Sequence, residues 1–132
     1  MIIRVDSREA LAEWSFYAPF IQRVIDKANS GSSVEDVLTC LQLGSMQLWR
    51  DGKRKAVAVT EIQDYPRYRM LLVYMVAGKD VRDWLAEGQQ QLDSFAKQSG
   101  CKYIEFQGRA GWEKLCRELG YDNKMIRMRK EL

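Results

Sequence analysis

The feature that most constrains the fold is an unbroken apolar run at residues 70–77, which reads MLLVYMVA. A run of this length without alternating polar residues is typical of a strand that is buried on both faces at the centre of a sheet. Gly78 follows the run, and Asp80 to Gln98 then carries apolar residues at helical spacing. The pattern predicts a central strand over Arg69 to Ala77, followed at once by a long amphipathic helix.

The segments on either side of this strand favour a mixed sheet. Asp51-Gly52 lies between the apolar stretches 46–49 and 56–62, and this dipeptide is a strong hairpin signal. The stretch 102–107 follows the long helix, and a strand–helix–strand unit requires a right-handed crossover between parallel strands. We therefore expect antiparallel strands in the middle of the chain and a parallel pair after them.

Capping signals mark two helices in the first third of the chain. Asp6 is followed by Glu9, and Ser32 by Glu35, at the spacing of a capping box. Pro19 is expected to break or kink the first helical stretch, because proline lacks the N–H that a helix interior needs. Helices are thus predicted soon after the first strand and again near residue 33.

The remaining signals complete one domain over residues 1–132. Asn29-Ser30-Gly31 is expected to close the second helical stretch and Gly44 the next helix. Near the C-terminus we expect a helix over 109–119 and a final strand over 124–130. The element order β-α-α-β-β-β-α-β-α-β predicts an α/β (α+β) fold, with a mixed, mostly antiparallel six-stranded sheet flanked by helices.

Composition excludes several classes of protein. No apolar run approaches the roughly 18 residues of a membrane span, and the N-terminus lacks the features of a secretory signal. A cytoplasmic protein is expected, and its oligomeric state is left open. The chain has no histidine, and its three cysteines are widely spaced. No metal site is expected, and any chemistry must use carboxylates, tyrosines or backbone groups.

A nucleic-acid partner is not expected. The net charge of +3 is far below that of a dedicated nucleic-acid binder. Trp14, Trp84 and Trp112 fall on the apolar stripes of helices and are predicted to be core residues. Trp49 ends a strand and is the one tryptophan that we expect near the surface.

The closing segment, residues 108–121, reads GRAGWEKLCRELGY. This segment and the element order resemble the GNAT (Gcn5-related N-acetyltransferase) superfamily, in its last helix and its Gly-aromatic exit. The segment is particularly similar to GNAT-like proteins encoded by tailed bacteriophages. The resemblance implies a sheet that opens beside the central strand and holds acetyl-CoA in the opening.

The resemblance also implies where the cofactor would lie. In the family, the end of the central strand pairs with the pantetheine arm, and a glycine-rich loop at the start of the next helix binds the pyrophosphate. The residues of this chain at those positions are Met75, Val76, Ala77, Gly78, Lys79 and Arg82. The loop has one glycine, and Asp80 is expected to cap the helix and occupy its amides. The site therefore resembles a degenerate acyl-CoA loop. Two alternatives stay open, that the chain binds acetyl-CoA and that it binds no cofactor.

Two residues are candidates for proton transfer. Glu61 shares a strand face with Val57 and Val59, where a carboxylate is costly unless it is paired or working. Family enzymes commonly use a tyrosine in the last helix, but Cys116 stands at the expected spacing from Tyr121. Tyr121 itself, or Tyr74, would then serve as the acid.

Two functions follow from the resemblance. The first is a non-catalytic or atypical GNAT-like module, associated with a bacteriophage virion or its assembly and with a protein partner there. The second is an acyl-CoA-dependent N-acetyltransferase that acts on an unknown amine.

Overall fold

The predicted central strand is the fourth of five in a single mixed sheet. The computed structural model describes residues 1–28 and 31–132. The strands follow one another in spatial order and are β1 (Ile2–Val5), β2 (Met46–Asp51), β3 (Ala56–Asp64), β4 (Arg69–Gly78) and β5 (Tyr103–Phe106). The pairs from β1 to β4 are antiparallel, and β5 runs parallel to β4. The predicted mixture of a hairpin-linked middle and a parallel crossover is confirmed.

Helices cover both faces of the sheet. One face packs against the N-terminal helices, and the other packs against the helices that follow β4. The helices are α1 (Ser7–Ala12), α2 (Trp14–Ala28), α3 (Val34–Leu43), α4 (Leu85–Gln98) and α5 (Glu113–Glu118). Val57 and Val59 of β3 belong to the core under α1 to α3, whereas Ala58 faces the core under α4. This alternation is what a strand covered on both faces requires.

A β-bulge interrupts β4 near its middle. Val59 pairs with Met75, but the next residue of β3, Thr60, pairs with Val73. Tyr74 is therefore the extra residue on β4. A bulge bends its strand and re-aims side chains, and bulges are frequent beside functional sites.

The final strand expected over 124–130 is absent, so the sheet has five strands where six were expected. Residues 121–132 form no helix or strand, and Met125, Ile126 and Met128 are largely exposed. Side chains alternate between the two faces of a strand, so Met125 and Ile126 cannot both point to one apolar face. Ile126 and Met128 would share a face with Lys124 and Lys130, so a strand here would offer little apolar surface for the sheet to bury.

The helix boundaries differ from expectation in three places. Pro19 lies inside α2, and the chain breaks at Glu13 instead. The second capping box is formed one residue later than predicted, by Ser33 and Asp36. The C-terminal helix begins as a 3-10 turn, Ala110–Trp112, before α5. The predicted cap at Asp6 and the end at Gly44 are confirmed.

The helix closure predicted at Asn29-Ser30-Gly31 falls mostly outside the described residues, which resume at Gly31. Among the described residues, no helix is both long and apolar enough to cross a membrane.

Trp49 is buried rather than near the surface. Its side chain is 5% exposed, its indole N–H donates to the Thr60 hydroxyl at 2.9 Å, and its ring meets Phe95 edge-on. The prediction was wrong because β2 is an interior strand, paired on both sides and covered by α4.

Candidate functional site

The sheet opens between β4 and β5. The parallel ladder runs from Met70 and Tyr103 to Val73 and Phe106, and the Gln107 N–H then donates to the Val73 carbonyl at 3.1 Å. In the part of the chain that the structure describes, pairing of the two strands ends there. The rest of β4 keeps only β3 as a neighbour, and the gap beside it is a cleft of about 410 Å³.

The cleft is lined by basic side chains. Its walls are the end of β4 from Tyr74 to Gly78, the exit of β5 from Gln107 to Arg109, the last turns of α2, Trp112 and the C-terminal segment. The cations among the described lining residues are Arg23, Lys27, Arg109 and Arg129. No carboxylate appears among those lining residues. The cleft is therefore an electropositive opening suited to an anion.

Gly78 sets the distance between the end of β4 and β3. A Cβ at this position would lie 2.7 Å from the Lys55 carbonyl oxygen and 2.8 Å from the Ala56 Cα. Both are backbone atoms that cannot rotate away. Glycine therefore allows the close approach of the two strands at the mouth of the cleft.

The loop after β4 is held by carboxylate contacts. Asp80 has a φ of +52°, and both Asp80 and Asp83 lie 3.3 Å from the Lys55 ammonium nitrogen. Residues Val81–Asp83 form a 3-10 turn, so α4 begins at Leu85 rather than at Asp80. The Asp80 side chain makes no capping hydrogen bond, and the expectation that it occupies the helix amides was wrong. The Asp80 carboxylate forms an ion pair with the Lys55 ammonium group instead.

The two basic residues of this loop differ in their surroundings. Lys79 is exposed, and its N–H donates to the Lys55 carbonyl at 2.9 Å. Arg82 pairs with Glu118 of α5 at 2.7 Å, and this contact raises the pKa of Arg82 and lowers that of Glu118. The Arg82 charge is thus largely compensated by a neighbouring carboxylate.

Glu61 lies outside the set of described residues that line the cleft. It is half-buried on β3, between Met46 of β2 and Leu72 of β4. Its carboxylate accepts a hydrogen bond from the Gln63 side-chain amide at 2.6 Å. The carboxylate on this strand face is therefore paired within β3.

Tyr121 lies on the α4 side of the sheet. Its hydroxyl donates to the Gln89 side-chain oxygen at 2.9 Å, and burial raises the pKa of the phenol well above its usual range. Cys116 is buried nearby, and burial likewise raises the pKa of its thiol. Of the tyrosines considered, Tyr74 is the one that lines the cleft, with its hydroxyl 3.1 Å from that of Ser32.

Met75 to Gly78 line the cleft. Arg109 and Arg129 were recognisable from the sequence as part of a basic C-terminal stretch, whereas the α2 cations across the cleft were missed. Arg23 and Lys27 are four residues apart and therefore share one face of α2, a signal that the sequence carries. The sequence does not reveal that this face of α2 lies against the end of β4, because that contact depends on how α2 packs across the sheet. Arg129 reaches the cleft from a segment that was expected to be a strand.

The described residues contain no group of three or more side chains suited to hold a metal ion. Neither a protein-family model nor a curated protein sequence matches the chain.

Several solved structures share the fold over the whole chain. A probable acetyltransferase superposes with a TM-score of 0.75 at 9% identity, covering 100% of this chain and 96% of that one. A ribosomal-protein-alanine N-acetyltransferase from Brucella melitensis biovar Abortus 2308 gives 0.72 at 14% identity, with 100% and 98% covered. Glucosamine-6-phosphate N-acetyltransferase from Arabidopsis thaliana gives 0.62 at 15% identity, with 99% and 97% covered. The mixed sheet, its opening beside β4 and these superpositions together give the chain the fold of the GNAT acetyltransferases.

Proposed function

We propose that the chain is a GNAT-like domain that binds an acyl-CoA thioester in the cleft between β4 and β5 and has an atypical or non-catalytic role. The observation that carries the proposal is the charge of the cleft, whose described lining includes basic side chains and no carboxylate. A CoA thioester combines phosphates with a narrow, extended arm. The free edge of β4 at Met75, Val76 and Ala77 offers backbone groups to that arm.

The phosphates would be held by side chains more than by helix amides. The loop from Gly78 to Arg82 has one glycine and carries Asp80, and Asp83 follows it. A pyrophosphate at the start of α4 would meet these two carboxylates, which Lys55 only partly offsets. Arg109 and Arg129 line the cleft itself, whereas Lys79 and Arg82 belong to the loop after β4, and Arg82 is paired with Glu118. We therefore assign the main phosphate contacts to the cleft cations, with Lys79 and Arg82 secondary.

The atypical role is supported by the position of the proton-transfer candidates, of which Tyr74 alone is among the described residues that line the cleft. Glu61 and Tyr121 are placed elsewhere, and the described lining residues include no carboxylate or thiol. A general base or acid must reach the reacting group directly or through one water. Together with the resemblance of residues 108–121 to proteins of tailed bacteriophages, this supports a bound cofactor in a virion-associated or assembly module with a protein partner. Mass spectrometry of purified bacteriophage particles tests whether this chain is part of the virion. Absence of the chain from the particles would contradict a virion-associated role.

The test of the cleft is calorimetry with acetyl-CoA. We expect micromolar affinity for the wild-type chain and a loss of at least tenfold in the double variant Arg109→Ala/Arg129→Ala, because each removes a charge-assisted contact to phosphate. Arg8→Ala, which removes an exposed charge at the start of α1, is the matched control and should bind like wild type. No heat from millimolar acetyl-CoA would refute the proposal.

A second candidate is an N-acetyltransferase that acts on an unknown amine. The bulge at Tyr74 favours an acetyltransferase, because the extra residue shifts the regular β3–β4 backbone pairing beside the cleft. Preorganised backbone N–H groups of this kind stabilise an oxyanion during acyl transfer. In this case Tyr74, which lines the cleft, is the proposed acid, and Glu61 and Tyr121 can act only through intervening waters. Acetyl transfer to an amine panel that disappears in Tyr74→Phe would establish it.

A further inference from the structure

A second opening, the rear cavity, lies on the opposite face of the sheet from α2. It lies between β1 to β5 on one side and α4 and α5 on the other, is partly open to solvent, and has a volume of about 50 Å³. Its lining includes Trp49, Ala58, Val76, Leu92, Phe106 and Trp112. Its surface is almost entirely apolar, and apolar cavities of this kind stay dry and accept small apolar groups.

The rear cavity and the cleft share two of their walls. Val76 of β4 and Trp112, after β5, line both openings. They lie beyond Val73 and Phe106, where the described β4–β5 ladder ends. Because backbone pairing does not close the sheet at this point, side chains alone separate the two openings. We call this boundary between Val76 and Trp112 the passage.

The rings at this passage are packed rather than hydrogen-bonded. Phe106 and Trp112 lie with ring centroids 5.4 Å apart. Gly108 sits against them, since a Cβ there would approach the Phe106 ring to 2.7 Å and the Trp112 ring to 3.3 Å. An aliphatic chain is the group that such a passage admits without leaving a polar atom unpaired.

We propose that the acyl group bound by this domain is a short aliphatic chain longer than acetyl, whose end enters the rear cavity between Val76 and Trp112. This inference rests on the proposed function, because the cleft must first hold the thioester. At roughly 10–15 Å³ for each water-sized position, the cavity offers about three to five such positions, enough for the three carbons of a butyryl chain beyond its carbonyl. A butyryl chain fills that space, an acetyl methyl leaves most of it empty, and an octanoyl chain exceeds it.

The experiment compares the affinities of acetyl-, butyryl- and octanoyl-CoA for the wild-type chain by calorimetry. Burying two further methylenes should make butyryl-CoA bind roughly tenfold more tightly than acetyl-CoA. Octanoyl-CoA should show no further gain, because the cavity ends. Equal affinities for the acetyl and butyryl thioesters would overturn this inference and leave the proposed function intact. Failure of every thioester to bind would overturn the proposed function and this inference with it.

A cavity-filling variant locates the effect. Ala58 lines the rear cavity but is not among the described residues that line the cleft. Ala58→Leu should reduce the butyryl preference to less than twofold and leave acetyl-CoA affinity unchanged. Ala86→Leu, at an exposed position of α4, is the matched control and should keep the tenfold preference. A preference that survives in Ala58→Leu would place the acyl chain elsewhere and contradict the inference; if that variant does not fold, the wild-type chain-length series decides.

Discussion

Single residues explain why the end of β4 forms the wall of a cleft. Tyr74 is the extra residue of the bulge, and Gly78 lets the strand end press against β3. The sequence predicted that β4 ends at Gly78, but not why a glycine is needed there. That reason is a contact with the backbone of Lys55 and Ala56, which are distant in the sequence and adjacent only in the folded sheet.

Gly78→Ala should lower the free energy of unfolding by roughly 1–3 kcal/mol, because the new methyl group overlaps backbone atoms and forces the strands apart. Gly111→Ala is the matched control, since nothing lies within 4 Å of a Cβ at that position. Its effect should stay within about 0.5 kcal/mol. Urea unfolding measures both, and equal stability of the two variants would show that the approach at Gly78 is not tight.

Secondary-structure elements were predicted best where the signals are local. Asp6 caps α1 as expected, with hydrogen bonds of 2.9 Å from the Arg8 and Glu9 N–H groups. The start of α4 was predicted too early because Asp80 resembles a cap in sequence. The Asp80 carboxylate instead pairs with Lys55. Lys55 lies in the turn before β3, and the sequence pattern does not predict that this turn lies beside Asp80.

The capping box of α3 gives a pH-dependent prediction. The Asp36 N–H donates to the Ser33 hydroxyl at 3.1 Å, and the Ser33 N–H donates to the Asp36 carboxylate at 2.8 Å. These bonds lower the pKa of Asp36 from its ordinary value of 3.8, with the backbone bond as the larger cause. A lowered folded-state pKa means that the stabilisation is present above pH 3.8 and is lost as the pH falls through the folded value.

Asp36→Ala should therefore lower the denaturant midpoint at pH 7, because it removes the carboxylate that accepts the Ser33 N–H. The difference from wild type should narrow as the pH falls below 3.8 and Asp36 becomes protonated. Ser15→Ala, at an exposed position in the first turn of α2, should have little effect at any pH. Denaturant midpoints at neutral and acidic pH measure this, and a difference that is independent of pH would exclude the reciprocal bonds as its source.

At the scale of the whole molecule, the sequence predicted the order and pairing of the elements because hairpins and crossovers follow from neighbouring segments. It did not predict that Arg23 and Lys27 of α2 face the basic residues Arg109 and Arg129 across the cleft. The six-strand expectation failed for a related reason. Charges and apolar residues over 124–130 resemble an edge strand, but the face that carries Ile126 and Met128 also carries Lys124 and Lys130 and would bury little apolar surface.

The C-terminal segment is therefore expected to serve the cleft rather than the core. Residues 122–132 are exposed, and Arg129 lines the cleft. Deleting residues 122–132 should shift the melting temperature by no more than about 2 °C, since little apolar surface is uncovered. The same deletion should weaken acetyl-CoA binding roughly tenfold through loss of the Arg129 contact.

Arg129→Ala in the full-length chain separates the two effects, because it removes the charge and keeps the rest of the segment. It should reproduce the roughly tenfold loss of affinity with an unchanged melting temperature. Differential scanning calorimetry and isothermal titration on the same samples give both values. A melting temperature that drops by more than about 5 °C in the deletion alone would mean that the segment completes the sheet after all, as a sixth strand would.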